Sequence, residues 1–330
     1  MQEAAYYKQL ADNRARCLLC PQFCQVEPDK SGFCRARINQ AGRLYSHNYA
    51  QITSIALDPI EKKPLYHFHP GRKILSVGTW GCNLHCAFCQ NWQISQLEAP
   101  AETVSPEELV EMAEVQREQA GNIGLAYTYS EPLIWFEYIW EASRLARAKG
   151  LKNVVVSNGL INPQPLNQLL PWIDAFDIDL KAFGDNFYQE LCQGKLEPVK
   201  QTIQTIAEAG VPLEVTTLVI EGWNEQDIEA LSEWLAGINP RIPLHLSRYF
   251  PNYYLGLPPT SEKLLVQLWE KARQKLKYVY LGNVESPGQD TFCPECGKAL
   301  IKRRNYQIKA NGLKENRCRH CKSPVDLILT

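Results

Sequence analysis

The sequence predicts an α/β protein, an incomplete (β/α)6-type barrel set between an N-terminal cysteine-rich segment and a C-terminal zinc ribbon. Three observations carry the prediction. From Lys73 to Val284, short β-branched apolar runs alternate with amphipathic stretches, the pattern of parallel β/α units. The amphipathic stretches carry helix-boundary signals. Of the 12 cysteines, all but Cys192 fall into three compact groups, one inside the repeating region and one on each side of it.

Strands are expected at Ile74 to Thr79, Ile123 to Tyr129, Asn153 to Val156, Ala175 to Leu180, Leu213 to Ile220 and Leu244 to Tyr249, with Tyr278 to Gly282 as a candidate seventh. Between them, helices are expected at about Pro106 to Gln119, Pro132 to Lys149, Leu166 to Trp172, Lys195 to Ala209, Glu225 to Leu235 and Ser261 to Lys277. Ser105, Pro106 and Glu108 form an N-cap box with proline at the first helical position, and Gly150 and Gly210 stand where helices should stop. Six or seven units fall short of the eight that close a barrel, so one side is expected to stay open and admit a large substrate. The predicted division is residues 1–70 as a metal-binding segment, 71–285 as the partial barrel and 286–330 as the zinc-ribbon module.

Composition narrows the function classes. Hydrophobic residues make up 45% of the 330 residues and charged residues 22%, and the formal net charge of -1 argues against a general attraction to polyanions. No apolar run approaches the ~18 residues that span a bilayer. The opening MQEAAYYKQLADNRAR lacks the apolar stretch of a signal peptide, so a cytoplasmic location without a membrane partner is expected. In that reducing compartment, clustered thiols read as metal ligands rather than disulfides.

The central group, Cys82, Cys86 and Cys89, forms C-x3-C-x2-C directly after the first predicted strand, at the rim where barrel enzymes do chemistry. A closed structural site uses four ligands, whereas a [4Fe-4S] cluster held by three thiolates keeps one iron open. Phe88 offers an aromatic wall beside it. The competing reading is a zinc site with His85 as fourth ligand.

This loop, with an aromatic residue before its third cysteine, resembles the radical S-adenosylmethionine (SAM) superfamily. Nearly end to end, the chain also resembles the radical enzyme of the AmmeMemoRadiSam system. The resemblance runs through Cys17-Leu18-Leu19-Cys20-Pro21, Asp58-Pro59-Ile60-Glu61-Lys62-Lys63-Pro64, Cys89-Gln90-Asn91-Trp92, Glu131-Pro132, Asp179-Leu180-Lys181 and Thr216-Thr217-Leu218-Val219. The barrel alone is similar to pyruvate formate-lyase activating enzymes. The resemblance implies a radical SAM barrel whose open iron takes the amino and carboxylate groups of SAM, with an electron donor such as flavodoxin or ferredoxin. It further implies association with Memo-like and AMMECR-like proteins.

By the same resemblance Glu131 takes the methionyl amino group, although this chain has Tyr129-Ser130-Glu131-Pro132 where the family has Gly-Gly-Glu-Pro. A helix-capping role for Glu131 is the alternative. Ser157 and Asn158 resemble the activases' Thr-Asn near the ribose, and Asn91 belongs to the shared Cys-Gln-Asn-Trp run. The activases' preceding aspartate is Val156 here, which counts against a simple activase. Asp179 and Lys181 match Asp-Leu-Lys, the lysine facing the SAM carboxylate, with a plain ion pair as the alternative. Asp177, Asp179 and Lys181 alternate along one strand and so are expected to face the barrel interior together. Arg248 and Tyr249, at the end of the sixth strand, are candidate substrate residues alongside the charged stretch Asp58 to Lys63.

Cys293, Cys296, Cys318 and Cys321 give C-x2-C-x21-C-x2-C, two knuckles of a zinc ribbon with Asn311-Gly312 as the expected hairpin turn. The module is basic and could dock nucleic acid or an acidic protein face, as in a metal-stabilised binding protein, although a solvated hairpin is the commoner outcome. Cys17, Cys20, Cys24 and Cys34 give C-x2-C-x3-C-x9-C, compatible with zinc or an auxiliary [4Fe-4S] cluster.

Overall fold

The computed structural model describes residues 1–329, so the final position of the predicted C-terminal module lies outside the described residues. Eight strands build one sheet: β1 (Ser54–Pro59), β2 (Lys73–Gly78), β3 (Asn122–Tyr127), β4 (Lys152–Ser157), β5 (Ala175–Asp179), β6 (Leu213–Val219), β7 (Leu244–Arg248) and β8 (Val279–Gly282). They lie in sequence order from β1 to β8. From β2 to β8 every neighbouring pair is parallel, because a helical crossover returns the chain to the same end each time. The candidate seventh strand, Tyr278 to Gly282, is therefore the parallel edge strand β8, one more than a six-unit barrel has.

β1 is the element that periodicity missed. It pairs antiparallel with β2 along its whole length, from Ser54 opposite Gly78 to Pro59 opposite Lys73. It falls in the segment assigned to metal binding, before the predicted boundary at residue 71. Its residues Ile55 and Ala56 remain exposed, as an edge strand allows, so the continuous buried apolar run that marks the inner strands is lacking.

The helices follow their local signals. Ser105 Oγ accepts from Glu108 N at 3.2 Å while Glu108 Oε2 accepts from Ser105 N at 2.7 Å, and the helix Pro106–Ala120 starts there. It buries Leu109, Val110 and Ala113 toward the sheet, each large aliphatic side chain contributing about 1.5–3 kcal/mol. Gly150 and Gly210 close their helices with φ of 70° and 69°. The expected helix from Pro132 divides into a 3-10 turn, Pro132–Trp135, and an α-helix, Phe136–Ala148.

The N-terminal segment folds as short antiparallel ribbons. Ala15–Cys17 pairs with Tyr7–Gln9 and Gln25–Val26, and Arg37–Gln40 with Arg43–Ser46. At the C-terminus, Ala299–Arg304 and Gln307–Lys309 form a hairpin whose turn is Asn305-Tyr306, with φ of 50° and 63°, while Asn311-Gly312 is a turn as expected but follows this hairpin instead of closing it. Two consecutive positive φ angles suit a two-residue hairpin loop. Gly312 answers a different need, because a Cβ there would stand 2.0 Å from the Ala299 carbonyl oxygen. Among the described residues no helix is long and apolar enough to cross a membrane.

Candidate active site

The loop after β2 carries Cys82, Cys86 and Cys89. It turns at Gly81, with φ of 97°, where a Cβ would come within 2.7 Å of the Cys34 carbonyl oxygen, so only glycine is accommodated. A π-helical turn, Tyr188–Cys192, pins the loop from behind. His85 N donates to Cys192 O at 2.9 Å and Ala87 N to Leu191 O at 2.8 Å. Cys82 Sγ accepts from Leu84 N at 3.3 Å and Asn158 Nδ2 at 3.6 Å, and Cys89 Sγ lies 3.0 Å from Ser95 Oγ.

Burial raises the Cys82 and Cys89 thiols, while Cys86 is raised first by a hydrogen bond with Cys192 and then by burial. Iron binds the thiolate, so ligation displaces these protons. Three soft donors on one loop fit a [4Fe-4S] cluster with one iron left to a non-protein ligand. His85 is drawn off elsewhere: its Nε2 contacts Arg35 Nη1 at 3.2 Å and its ring stacks on Phe33 at 3.9 Å, so it does not complete a zinc shell.

Glu131, Ser157 and Asn158 meet at the ends of β3 and β4. Glu131 Oε1 accepts from Leu133 N at 2.8 Å and Ser157 Oγ at 2.7 Å, and Oε2 accepts from Asn158 N at 2.9 Å. The carboxyl caps the 3-10 turn at Pro132, and burial lifts its pKa to about 7 against these hydrogen bonds. Asn158 Nδ2 also donates to Asn83 Oδ1 at 2.9 Å, tying this corner to the cysteine loop.

Asp179 and Lys181 form an ion pair at 3.1 Å, with Lys181 Nζ also 5.9 Å from the Phe88 ring centre. Asp177 is buried in the interior and accepts from Thr216 Oγ1 at 2.8 Å, its other oxygen unpartnered. Lys181 stands past the end of β5, beyond the strict alternation expected for the three. Phe88 is buried against Phe187, ring centres 5.6 Å apart. Asn91 Nδ2 donates to the Tyr129 carbonyl at 2.6 Å.

Arg248 and Tyr249 are engaged by their own neighbourhood. Arg248 donates to Thr260 O at 2.8 Å and Glu262 Oε1 at 2.7 Å, and Tyr249 Oη donates to Leu255 O at 2.5 Å. Both hold the segment that follows β7.

The charged stretch Asp58 to Lys63 is no solvated loop. Asp58 and Lys63 are buried and paired at 2.8 Å, and Tyr129 Oη donates to Asp58 Oδ2 at 2.7 Å. Burial raises Asp58, but hydrogen bonds from Lys63, Lys62 and Tyr129 outweigh it and hold the carboxyl well below its usual range. Tyr129 stands at φ of 71°, a left-handed conformation at the position where the resembling motif has glycine. Glu61 and Arg303 meet at 3.8 Å, and Arg303 lies 4.2 Å from the Tyr66 ring. This corrects the expectation of a wholly solvated basic hairpin: Arg303 is buried, while its neighbours Lys302 and Arg304 are exposed. Glu61, Tyr66, His245, Ser247, Arg303 and Tyr306 line a cavity of about 300 Å³.

The two flanking cysteine groups differ in span. Cys293 and Cys321 sulfurs are 3.6 Å apart, Cys296 and Cys318 sulfurs 3.7 Å, and all four lie within 4.8 Å of one another. Cys17, Cys20, Cys24 and Cys34 line a common pocket with Arg37 and Asn83. Cys192, read as a single thiol, stands against Cys86. Nothing local marks it, because its partner is more than a hundred residues away in sequence and the π-helical turn brings them together.

Comparison with known proteins agrees with this geometry. The model of the radical SAM superfamily matches residues 77–235. An uncharacterized protein of Methanocaldococcus jannaschii is 39% identical over 340 residues, covering 100% of both chains. A GTP 3',8-cyclase of Thermodesulfovibrio yellowstonii is 25% identical over 166 residues, 49% of this chain and 51% of that one. The crystal structure of Streptococcus suis SuiB bound to S-adenosylmethionine superposes with a TM-score of 0.53 at 15% identity, over 64% of this chain and 52% of that one. The chain thus spans about half the length of the last two. The family match over residues 77–235, which contains the cysteine loop after β2, places the chain in the radical SAM superfamily, and it is a radical SAM enzyme.

Proposed function

We propose that the protein cleaves SAM reductively at a [4Fe-4S] cluster held by Cys82, Cys86 and Cys89, and abstracts hydrogen from a substrate admitted at the open side of the sheet. The observation that carries this reading is the three-thiol loop standing against Asn158 and the Glu131 corner. When bound, the cluster supplies the electron that breaks the sulfonium bond of SAM and releases a 5'-deoxyadenosyl radical. The protein's own part is positional. Glu131, fixed by three hydrogen bonds, presents Oε2 to an ammonium group, and Lys181 presents a cation to a carboxylate. Phe88 forms an apolar wall that excludes water.

On the substrate side, Asp58, Lys63 and Tyr129 form a buried charged set, and the cavity between Glu61 and Arg303 is the matching entry. The tight C-terminal cysteine set suits one zinc ion, making residues 286–330 a zinc ribbon that walls this entry. The resemblance of its sequence motifs to the AmmeMemoRadiSam radical enzyme supports Memo-like and AMMECR-like partners and a flavodoxin or ferredoxin donor, and the many clustered thiols suit a reducing, cytoplasmic location. Activation of a glycyl radical protein is the second reading, favoured by Asp179-Leu180-Lys181 and weakened by Val156.

Anaerobic reconstitution followed by dithionite and SAM tests the proposal. 5'-Deoxyadenosine is expected from the wild type and none from Cys82→Ala, Cys86→Ala or Cys89→Ala. A fully loaded wild type that forms none would overturn it.

A further inference from the structure

The N-terminal thiols converge without any role in the chemistry just described. Cys17, Cys20, Cys24 and Cys34 line one pocket, and three of them are buried. Phe33 N donates to Cys24 Sγ at 3.3 Å. One side of the pocket is Arg37, 2% exposed and paired with Glu137 at 2.7 Å, whose Nε has no hydrogen-bond partner. A buried, unpartnered guanidinium N–H beside four thiols suits a centre of net negative charge that offers sulfur acceptors.

The size of that centre follows from comparing the cysteine groups. Tetrahedral zinc with Zn–S of about 2.3 Å sets its sulfurs about 3.8 Å apart. The C-terminal four meet that demand, and among the described residues they are the one cysteine group whose sulfurs all fall within 4.8 Å. The N-terminal four share a pocket without closing so tightly, and the three sulfurs of the catalytic loop do not close to that span either. A cubane spreads its thiolates over its corners, farther apart than the ligands of one ion.

Position adds a second argument. Asn83 lines the N-terminal pocket, and its neighbour in the chain is the catalytic ligand Cys82. Arg35, next to Cys34, contacts His85, next to Cys86, at 3.2 Å. Asn83 and His85, each next to a catalytic ligand, and Arg35, next to an N-terminal one, thus join the two sites, a connection that a merely structural ion would not need.

We infer that Cys17, Cys20, Cys24 and Cys34 hold a second [4Fe-4S] cluster that feeds the catalytic one. It takes one electron from a low-potential one-electron donor protein, passes that electron on through the Asn83 and Arg35–His85 contacts, and returns to its oxidised state. The site does not depend on the catalytic reading, but its relay role does.

The test removes the catalytic ligands and leaves the N-terminal ones. The Cys82→Ala/Cys86→Ala/Cys89→Ala protein, reconstituted anaerobically with iron and sulfide, is expected to keep about 4 iron and about 4 sulfide per chain. It should also show a reduced-cluster paramagnetic signal after dithionite. Iron-free protein with a second zinc besides that of the C-terminal set would overturn the site. In reduced wild type, the two signals are expected to broaden each other. Two fully reduced clusters whose spectrum is the plain sum of separate signals would remove the relay role while leaving the site. Cys20→Ser should lower wild-type iron by about half. Full iron in that folded variant would count against the ligand set.

Discussion

The Tyr129 hydroxyl donates to Asp58 across 2.7 Å, joining the loop after β3 to the edge strand β1. Tyr129 reaches it from a left-handed backbone, φ 71°, which costs on the order of 1–3 kcal/mol and is held by its surroundings. Tyr129→Phe keeps the ring and removes the donor. It is expected to lower unfolding stability in urea by about 1–2 kcal/mol, with the Lys63–Asp58 pair intact. An unchanged midpoint would mean that the bond holds nothing.

Asp58 itself sets a pH dependence. Its folded pKa is depressed, so its contribution is present above the unfolded value of about 3.9 and is lost as pH falls below it toward the folded value. Asp58→Asn leaves Lys63, 3% exposed, without a counter-charge and should cost roughly 3–5 kcal/mol at neutral pH. The gap between wild type and variant should narrow from pH 5 to pH 3, read as the difference in their urea unfolding free energies. A constant gap would separate the ion pair from acid stability.

Gly81 stands between two cysteine groups. Gly81→Ala puts a Cβ within 2.7 Å of the Cys34 carbonyl oxygen at a φ of 97°. The variant is expected to lose iron from reconstituted protein, measured against Gly222→Ala, where nothing lies within 4 Å of the added Cβ although φ is 87°. Equal iron in both would show that the close approach is dispensable.

Arg303 carries the C-terminal module into the barrel. Arg303→Ala leaves Glu61 buried without its cation and should cost roughly 3–5 kcal/mol. Adding Glu61→Gln is expected to recover part of that loss, and a double-mutant cycle in thermal unfolding measures the coupling. Strict additivity would place Arg303's effect in its contacts with Tyr66, Thr291 and Gln289 instead.

A zinc ion in the C-terminal knuckles predicts a metal readout. Cys318→Ser, at a fully buried knuckle position, should remove about one zinc per chain and loosen the hairpin, seen as faster proteolysis near Asn305. Undiminished zinc would exclude Cys318 as a ligand.

How much of this was legible in the sequence depends on distance along the chain. Six inner strands, the capped helix at Ser105 and the three cysteine groups are written in local period and spacing, because a strand or helix face is decided by residues a few positions apart. The antiparallel edge β1 was not, since an exposed edge strand carries no continuous buried apolar run. Tyr129 and Asp58 lie 71 positions apart, and Arg303 sits 237 positions from the Tyr66 carbonyl it contacts. Such pairs form only when the sheet brings distant loops to one end. Cys192 meets Cys86 for the same reason.

The sequence by itself determined the α/β class, the three-cysteine loop at the end of a strand and the four-cysteine groups around it. Tertiary structure decided which thiols lie close enough together for a single ion, that Arg303 is buried while its neighbours are solvated, and that the N-terminal cysteines abut the catalytic loop. The physical reason is that burial and sulfur-to-sulfur span arise from packing between segments, on which local spacing is silent.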